Sequence, residues 1–503
     1  MPPPAHATND SPRATEGDTA GARFRRWQLR TILATMLGYA LFYFVRKNFS
    51  MAMPGIEADL GIKKTALGAF LTANGLVYGL SRFANGFLAD RFNARVHMSA
   101  GLALCALSNA VFGFAPEIAA WLAGTTAAGA TGAVTAGGDA ASVAGARVGA
   151  TLIGFMGVTW LVNGFLQGSG FPPCARLLTH WVPPRELATK MSVWNTSHSI
   201  GAGLVVILCG YIMGNLGDPV THAGAWRWCF WLPASIAFCG AIALLFLLRD
   251  TPASVGLPEL PGTTVKLRAA AKDAAGGTGD DDAARHRALL REKVFCNPLI
   301  WLLGAGNFFV YVTRFSVLDW GPTLLRQSKH VDMANAGWLV ALFEVAGVVG
   351  MLVAGWATDR FFKGRAHRAC VVCMAGAAVF AFVFWQIPAG APFWALLAPL
   401  CAVGFFIYGP QALVGIAAAN QATKKAAATA NGLTGIFGYA STALSGIGFG
   451  YVAQHYGWNF TYAAMLAMTL AGGAVFLLMW NAKATGYAEE EDAAGGAANP
   501  QTA

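Results

Sequence analysis

The chain has 503 residues, of which 55% are hydrophobic and only 12% are charged, and its formal net charge is +10. Soluble domains carry roughly 25% charged residues, so this composition excludes an ordinary soluble domain and indicates a helical protein that crosses a membrane many times. The basic residues are concentrated in alternate loops, and the net charge therefore does not indicate binding to nucleic acid.

The chain starts with a polar, Pro- and Ala-rich stretch that leads into several arginines, which predicts a disordered cytoplasmic tail over residues 1–26. Twelve apolar segments follow, each close to the ~20 residues that a helix needs to cross the hydrocarbon. Six lie in residues 27–248 and six in residues 297–482. The predicted spans are 31–52, 66–88, 96–115, 149–171, 189–213, 227–248, 298–320, 335–357, 369–387, 393–417, 427–453 and 459–481.

Three polar or small-residue segments lie between or after these spans. Residues 249–296 are rich in charge and predict a solvated cytoplasmic linker between the two halves. Residues 116–148 consist largely of Ala, Gly and Thr, and they predict an external insertion in the N-terminal half. Residues 483–503 are acidic and then Gly- and Ala-rich, which predicts a second disordered cytoplasmic tail.

Lysine and arginine are concentrated in the loops at one end of the predicted bundle. These are the loops after the second, fourth, sixth, eighth and tenth spans, whereas the other loops hold few basic residues. The positive-inside rule therefore predicts that both termini lie in the cytoplasm and that the chain resides in the inner (plasma) membrane.

Two arginines occur at matching places in the two halves, each within an apolar span. Arg46 lies in YALFYFVRKNFSMAMP and Arg314 in NFFVYVTRFSVLDWGP, and each has a tyrosine three residues earlier, Tyr43 or Tyr311. A G-x-x-x-D-R motif follows each arginine, with its Asp 44 residues after Arg46 and 45 residues after Arg314. The charged residues of these motifs are Asp90, Arg91, Asp359 and Arg360. The repetition predicts an all-α membrane protein with two pseudo-symmetric six-helix halves.

The two arginines are costly in hydrocarbon, by some scales about 2.5–3.5 kcal/mol at a helix centre. Such a charge normally persists only where it faces water, a partner or a ligand. A guanidinium is a planar fork of N–H donors that can bind two phosphate oxygens at once. Arg46 and Arg314 lie at matching depth in opposite halves, so they predict a two-sided clamp for an anion, with an ion pair inside the bundle as the alternative.

Several longer motifs resemble one known family. GYALFYFVRKNFSMAMP, GSGFPPCARLLTHW, SVWNTSHSIGAG, YVTRFSVLDWGPTLL and GLTGIFGYAS are similar to segments of the organophosphate:phosphate antiporters of the major facilitator superfamily. The resemblance covers about residues 25–480. It implies the twelve-helix fold of that superfamily and exchange of a small organophosphate for inorganic phosphate by alternating access. It also implies that Arg46 and Arg314 are the substrate arginines and that His198 is the central histidine.

Other residues are candidates for the same site. His198 has an intrinsic pKa close to the second ionisation of phosphate, both about 6–6.5, so it could donate a hydrogen bond to phosphate, although a packing histidine is the alternative. Tyr78 and Arg82 share one face of the second span, and Tyr43 and Tyr311 lie one turn before the arginines.

The substrate's carbon skeleton is predicted less directly. Asn431 and Thr434 stand where the hexose-phosphate branch of the family carries Asp and Lys, which favours a smaller substrate such as glycerol-3-phosphate or phosphoglycerate. The segment YGPQALVGIAAA, however, resembles the hexose-phosphate and sensor branches. Hexose phosphate therefore remains open.

Three further charges lie within spans, namely Lys47, Asp319 and Glu344. Isolated buried charges are expensive, so these residues should pair with one another. The family resemblance implies salt bridges that change partners as the cavity closes, and a static tie between helices is the alternative. The D-R motifs are also candidate braces, because Asp90 or Asp359 can cap a helix or pair with an arginine nearby.

The sequence has no metal-ligand cluster, nucleophile motif or nucleotide-binding loop in a suitable context, so no enzyme activity, metal or cofactor is predicted. Cys370-x-x-Cys373 lacks a second pair of ligands. The expected partners are a phosphorylated metabolite, inorganic phosphate and the lipid bilayer, with a monomer as the functional unit. Two alternative functions stay open: a membrane sugar-phosphate sensor of a two-component system, and a proton-coupled organic anion transporter.

Overall fold

The computed structural model describes residues 16–124, 143–216, 223–259, 287–422 and 426–482, and these residues form helices and connecting segments without a β-strand. The helices of the N-terminal half are α1 (Glu16–Leu60), α2 (Lys64–Arg91), α3 (Ala94–Gly113), α4 (Ala115–Leu122), α5 (Val143–Gln167), α6 (Phe171–Trp181), α7 (Pro184–Asn215) and α8 (Ala225–Leu247). The helices of the C-terminal half are α9 (Pro298–Lys329), α10 (Met333–Phe362), α11 (Ala366–Gln386), α12 (Phe393–Gln421), α13 (Ala427–Ala440), α14 (Phe449–His455) and α15 (Gly457–Leu478).

The membrane spans agree with the apolar segments of the sequence. Within the described residues, ten helices are long and apolar enough to cross a membrane. The two other spans are α2, which carries several polar residues, and the stretch α13–α14, which a π-helical turn over Ala443–Gly448 interrupts. The prediction of an all-α membrane protein with twelve spans is confirmed.

Local signals explain where several helices begin. The Asn93 side chain accepts a hydrogen bond from the Val96 amide at the start of α3, and Asp332 caps α10 in the same way through Asn335. Side-chain oxygens at these positions satisfy amides that the first helical turn leaves without partners. The connections between many consecutive helices are short, as between Arg91 and Ala94. Helices joined in this way run antiparallel, so each half forms a compact bundle.

The two halves contact each other at two helix–helix interfaces that occupy matching places in the repeat, and also between their first helices. The helix α2 packs against α13, α14 and the π-helical turn, and α7 packs against α10, while α1 contacts α9. We call the end of the bundle that carries Arg91 and Arg360 the linker end, because the described linker residues 249–259 and 287–296 adjoin it, and we call the opposite end the far end. The repeated arrangement follows the duplication seen in the sequence.

The two halves approach closely at the far end. A β-carbon at Gly68 of α2 would lie 2.5 Å from the carbonyl oxygen of Gly446, and a β-carbon at Gly337 of α10 would lie 2.6 Å from that of Val206. Only glycine permits backbones to meet at these distances. The far end is therefore closed in this conformation.

The segments outside the spans differ in part from expectation. The sequence predicts a disordered tail over residues 1–26, but α1 already begins at Glu16. The rings of Phe24 and Trp27 pack against Trp181 at 5.9 and 6.0 Å, and Arg23 donates a hydrogen bond to the Val255 carbonyl, so packing on the linker end favours the helix. Residues 1–15 lie outside the described residues.

The predicted insertion and linker are likewise ordered at their edges. Residues 116–122 belong to α4 and residues 143–148 to α5, while 125–142 lie outside the described residues. In the linker, Asp250 pairs with Arg176 at 3.1 Å and accepts a hydrogen bond from the Ala94 amide, so its first residues are held against α3 and α6. Residues 260–286 and 483–503 also lie outside the described part.

Candidate functional site

Arg46 lies immediately after a break in α1. Val45 has non-helical backbone angles, φ −99° and ψ 20°, so the helix changes direction just before the arginine. The guanidinium carbon of Arg46 lies 3.9 Å from the ring centre of Tyr78 and 5.5 Å from that of Tyr43. Aromatic faces attract a cation without neutralising it, and within the described residues no carboxylate lies at ion-pair distance from Arg46.

Arg314 is held differently in the C-terminal half. Its side chain is buried, and Nη2 donates a hydrogen bond of 2.9 Å to the Tyr408 hydroxyl. The same nitrogen lies 3.5 Å from a carboxylate oxygen of Glu344, which forms an ion pair without a hydrogen bond. The Nε of Arg314 has no hydrogen-bond partner among the described residues, so the guanidinium keeps donor capacity.

The two arginines line one cavity of about 210 Å³ between the halves, which we call the central cavity. The predicted site residues that line it are Tyr43, Arg46, Lys47, Tyr78, Arg82, His198, Tyr311 and Arg314. Arg46 and Arg314 thus face a common space and not lipid.

His198 reaches the central cavity from α7. Its Nδ1 is hydrogen bonded to the carbonyl oxygen of Asn195 one turn earlier, and its Nε2 lies 3.3 Å from the Ser199 hydroxyl. Its ring centre is 5.7 Å from that of Tyr43. Because Nδ1 faces a carbonyl acceptor, it carries the proton, and Nε2 of the neutral ring is an acceptor that faces the Ser199 hydroxyl. Nε2 donates to an anion in the cavity only when the ring carries a second proton.

The central cavity continues toward the linker end past Arg82. This arginine donates a hydrogen bond of 3.1 Å to the Tyr439 hydroxyl of the opposite half and stacks on Phe171 at 4.2 Å. It also lines two further cavities of about 490 and 550 Å³, the second of which reaches Arg176 and His180. These cavities share Arg82 and together extend from the central cavity to the linker end.

Asn431 and Thr434 do not line the central cavity. They line the adjoining cavity of about 490 Å³, together with Asn307 and Gln411. The Thr434 hydroxyl is also bonded to the Asn431 carbonyl at 3.0 Å. The rotation of α13 about its axis decides this placement, and spacing in the sequence does not show it.

The intramembrane charges pair only partly as expected. Lys47 Nζ lies 2.7 Å from Asp319 Oδ1, and this salt bridge joins α1 to α9 across the two halves. Glu344, which the sequence predicts to pair within the set of Lys47, Asp319 and Glu344, lies against Arg314 instead. The packing of α10 beside α9 brings the carboxylate to the arginine.

The D-R motifs lie in the last turns of α2 and α10, whereas the predicted spans end at residues 88 and 357 and leave the Asp and Arg of both motifs outside. Asp359 and Arg360 are exposed at the linker end, as is Arg91. The side chain of Asp90 lies outside the described residues. None of the three described side chains lines the central cavity.

Several residues of the site are absent from the sequence predictions. The most informative are Tyr408, which binds Arg314, and Tyr439, which binds Arg82. Tyr39 and Gln411 also line the central cavity. Tyr408 and Tyr439 lie within the motifs YGPQALVGIAAA and GLTGIFGYAS. The signal that could have identified them is a tyrosine hydroxyl within an otherwise apolar or small-residue span.

Comparison with known proteins agrees with this architecture. The profile of the Major Facilitator Superfamily matches residues 35–146, 140–445 and 306–498. A bacterial homologue of the human lysosomal transporter Spinster, solved in an inward-facing and unoccupied conformation, has a TM-score of 0.65 at 16% identity and covers 90% of this chain and 97% of its own. This likeness shows the fold.

Closer relatives are found by sequence. A probable hexose phosphate transport protein of Chlamydia muridarum is 34% identical over 484 residues, which cover 95% of this chain and 96% of the relative. The glycerol-3-phosphate transporter of Bacillus subtilis is 34% identical over 462 residues, covering 92% and 94%. The membrane sensor protein UhpC of Escherichia coli is 31% identical over 481 residues, covering 95% and 97%.

These comparisons define the class of protein: the chain belongs to the major facilitator superfamily, a family of membrane transporters, and it is not an enzyme. Within the superfamily it belongs to the organophosphate:phosphate antiporter family, as its motifs indicated.

Proposed function

We propose that the chain exchanges a small organophosphate for inorganic phosphate by alternating access through the central cavity. The observation that carries the proposal is that Arg46 and Arg314, one from each half, line the same cavity. A phosphate dianion placed between two guanidinium forks would contact both halves at once. His198 and Tyr311 supply further polar groups on the same wall.

The charges of the empty site explain why transport of the organophosphate would be coupled to transport of phosphate. Arg46 has no carboxylate at ion-pair distance among the described residues, and Arg314 has only Glu344 at 3.5 Å. Closing the cavity over uncompensated cations removes them from water at a high cost. A bound phosphate group neutralises them, so the loaded carrier changes conformation more readily than the empty one, and exchange results.

A small substrate such as glycerol-3-phosphate or phosphoglycerate is favoured, with hexose phosphate as the alternative. A cavity of about 210 Å³ suits a compact organophosphate. The relatives include proteins named for hexose phosphate and for glycerol-3-phosphate at the same identity of 34%. The site lies within one chain, so a monomer is sufficient.

The experiment is counterflow with purified protein in lipid vesicles. Vesicles loaded with phosphate should take up labelled glycerol-3-phosphate, and vesicles without internal phosphate should not. Competition by unlabelled phosphoglycerate and glucose-6-phosphate then ranks the substrates. Uptake that is independent of internal phosphate and abolished by a proton uncoupler would refute exchange and favour proton-coupled transport of an organic anion.

A second candidate is a sensor of sugar phosphates. The relative named membrane sensor protein UhpC covers nearly the whole chain at 31% identity. A sensor would bind the organophosphate but would give no counterflow in the vesicle assay. Binding measured on the purified protein, combined with absence of counterflow, would favour this function.

A further inference from the structure

The break in α1 is surrounded by side-chain amides that the sequence did not single out. The Val45 carbonyl oxygen lies at this break and accepts three side-chain hydrogen bonds. The donors are Asn109 Nδ2 at 2.9 Å, Asn163 Nδ2 at 3.0 Å and Gln167 Nε2 at 3.2 Å. We call these three residues the amide cluster.

The amide cluster is entirely internal to the N-terminal half. Its side chains are 0–3% exposed, and they come from α3 and α5, which pack beside α1. Asn109 also donates to Asn163 Oδ1 at 3.2 Å, and Asn48 of α1 donates to Asn109 Oδ1 at 2.9 Å. Polar groups inside a membrane protein are retained where they satisfy backbone that helical bonding does not.

The bonded carbonyl belongs to the peptide group that leads directly into Arg46. Within α1 only Val45 departs from helical backbone angles, so Arg46 has a helical φ. Fixing the plane of the preceding peptide therefore sets the direction in which the Arg46 side chain leaves the backbone. Direction matters because Arg46 contacts aromatic rings and, among the described residues, no carboxylate that could orient it. None of the three amides lines the central cavity.

We infer that the amide cluster is a positioning device, which aims Arg46 at the central cavity by clamping the Val45 carbonyl. The inference rests on the proposed function, in which Arg46 binds phosphate. Asn109, Asn163 and Gln167 are therefore positioning residues that act through the α1 break and do not contact the substrate.

The first test measures binding of inorganic phosphate to the purified protein. Asn163→Leu and, as the milder change, Gln167→Leu should weaken binding about tenfold, comparable to the loss of one charge-assisted hydrogen bond. The matched control is Asn74→Leu, which removes a buried amide bond of 3.0 Å to the Trp160 carbonyl, between α2 and α5. The control should lose similar thermal stability but keep its phosphate affinity. Equal weakening in all three variants would overturn the inference.

A double-mutant cycle separates positioning from general damage. In an Arg46→Lys background, Asn163→Leu should change phosphate affinity less than twofold, because the group that it positions is already lost. Full additivity of the two losses would show that Asn163 acts independently of Arg46 and would overturn the inference.

A third measurement uses no phosphate, so it distinguishes failure of this inference from failure of the proposed function. Arg46→Cys is prepared with Cys239→Ser and Cys296→Ser, which remove two exposed thiols. The rate of its reaction with a charged thiosulfonate should change several-fold when Asn163→Leu is added, and remain constant with Asn74→Leu. An unchanged rate overturns the positioning role even if phosphate binds. A changed rate in a protein that binds no phosphate supports positioning and refutes the clamp.

Discussion

The two cavity arginines are chemically identical but differ in their surroundings. Arg314 is anchored by the Tyr408 hydroxyl and by Glu344, whereas Arg46 rests on the rings of Tyr78 and Tyr43. Anchoring limits the motion of Arg314 and partly compensates its charge. Arg46 therefore carries most of the uncompensated charge and should contribute more to anion binding.

Replacing either arginine by lysine should remove most transport. Lysine keeps the charge but loses the planar fork, so Arg46→Lys or Arg314→Lys should weaken phosphate binding by about 1.5–3 kcal/mol, roughly ten- to a hundredfold. The measurement is phosphate exchange in reconstituted vesicles. Arg326→Lys, at an exposed position of α9, is the control and should exchange normally. Near-normal exchange by both cavity variants would refute the clamp.

The Tyr408 hydroxyl should contribute through Arg314. Tyr408→Phe keeps the ring under the guanidinium and removes only the 2.9 Å hydrogen bond, so we expect phosphate affinity to fall by about 1 kcal/mol, or several-fold. Isothermal calorimetry with phosphate measures this change. Tyr462→Phe is the matched control, because the hydroxyl of Tyr462 has no hydrogen-bond partner among the described residues. An effect of equal size at both positions would show that the Tyr408 bond has no specific role.

At the scale of elements, the contacts between halves at the far end depend on glycine. The helix α2 meets the π-helical turn at Gly446, and the Thr72 hydroxyl donates a hydrogen bond of 2.7 Å to the Thr442 carbonyl beside it. The helices α7 and α10 make the equivalent contact near Gly337. Both contacts must separate if the cavity is to open at this end.

Gly68→Leu should shift the protein away from the conformation described here. A side chain at this position overlaps the Gly446 carbonyl, and overpacking typically costs about 1–3 kcal/mol, which changes the population ratio by about five- to 150-fold. Distances between spin labels on α2 and α14 at the far end should increase. The same substitution at Gly154, where a β-carbon meets no atom within 4 Å, is the control. Unchanged distances would contradict a gating role for this contact.

At the scale of the whole molecule, the halves are closed at the far end and open toward the linker end. Arg82 lies at the junction of the three cavities and bonds to Tyr439 of the other half. A phosphorylated solute that enters from the linker end therefore passes this arginine before it reaches Arg46 and Arg314. In the opposite conformation, in which the linker end is closed, we expect the two halves to make further contacts around the hydrogen bond between Arg82 and Tyr439.

The orientation predicted by loop charge can be tested with fused alkaline phosphatase, which needs disulfides and is active only outside the cytoplasm. A fusion after Pro388, at the far end between α11 and α12, should be active. A fusion after Gly364, at the linker end between α10 and α11, should be inactive. The two fusions differ by one span and serve as controls for each other. The reverse pattern would contradict a cytoplasmic linker.

The sequence alone determined the number of spans, the two halves and the matching positions of Arg46 and Arg314 in the two repeats. These properties follow from hydropathy and repetition along the chain, which depend on neighbouring residues only. The same local information led to the tyrosines at positions 43 and 311, because they lie one turn from the arginines.

Only the tertiary structure decided which side chains meet. It paired Glu344 with Arg314, joined Lys47 to Asp319, and placed Asn431 and a threonine three residues later beside the central cavity and not within it. It also showed that buried amides hold the broken turn before Arg46. These contacts depend on how each helix is rotated and packed against helices distant in the chain, and local sequence patterns do not specify that rotation.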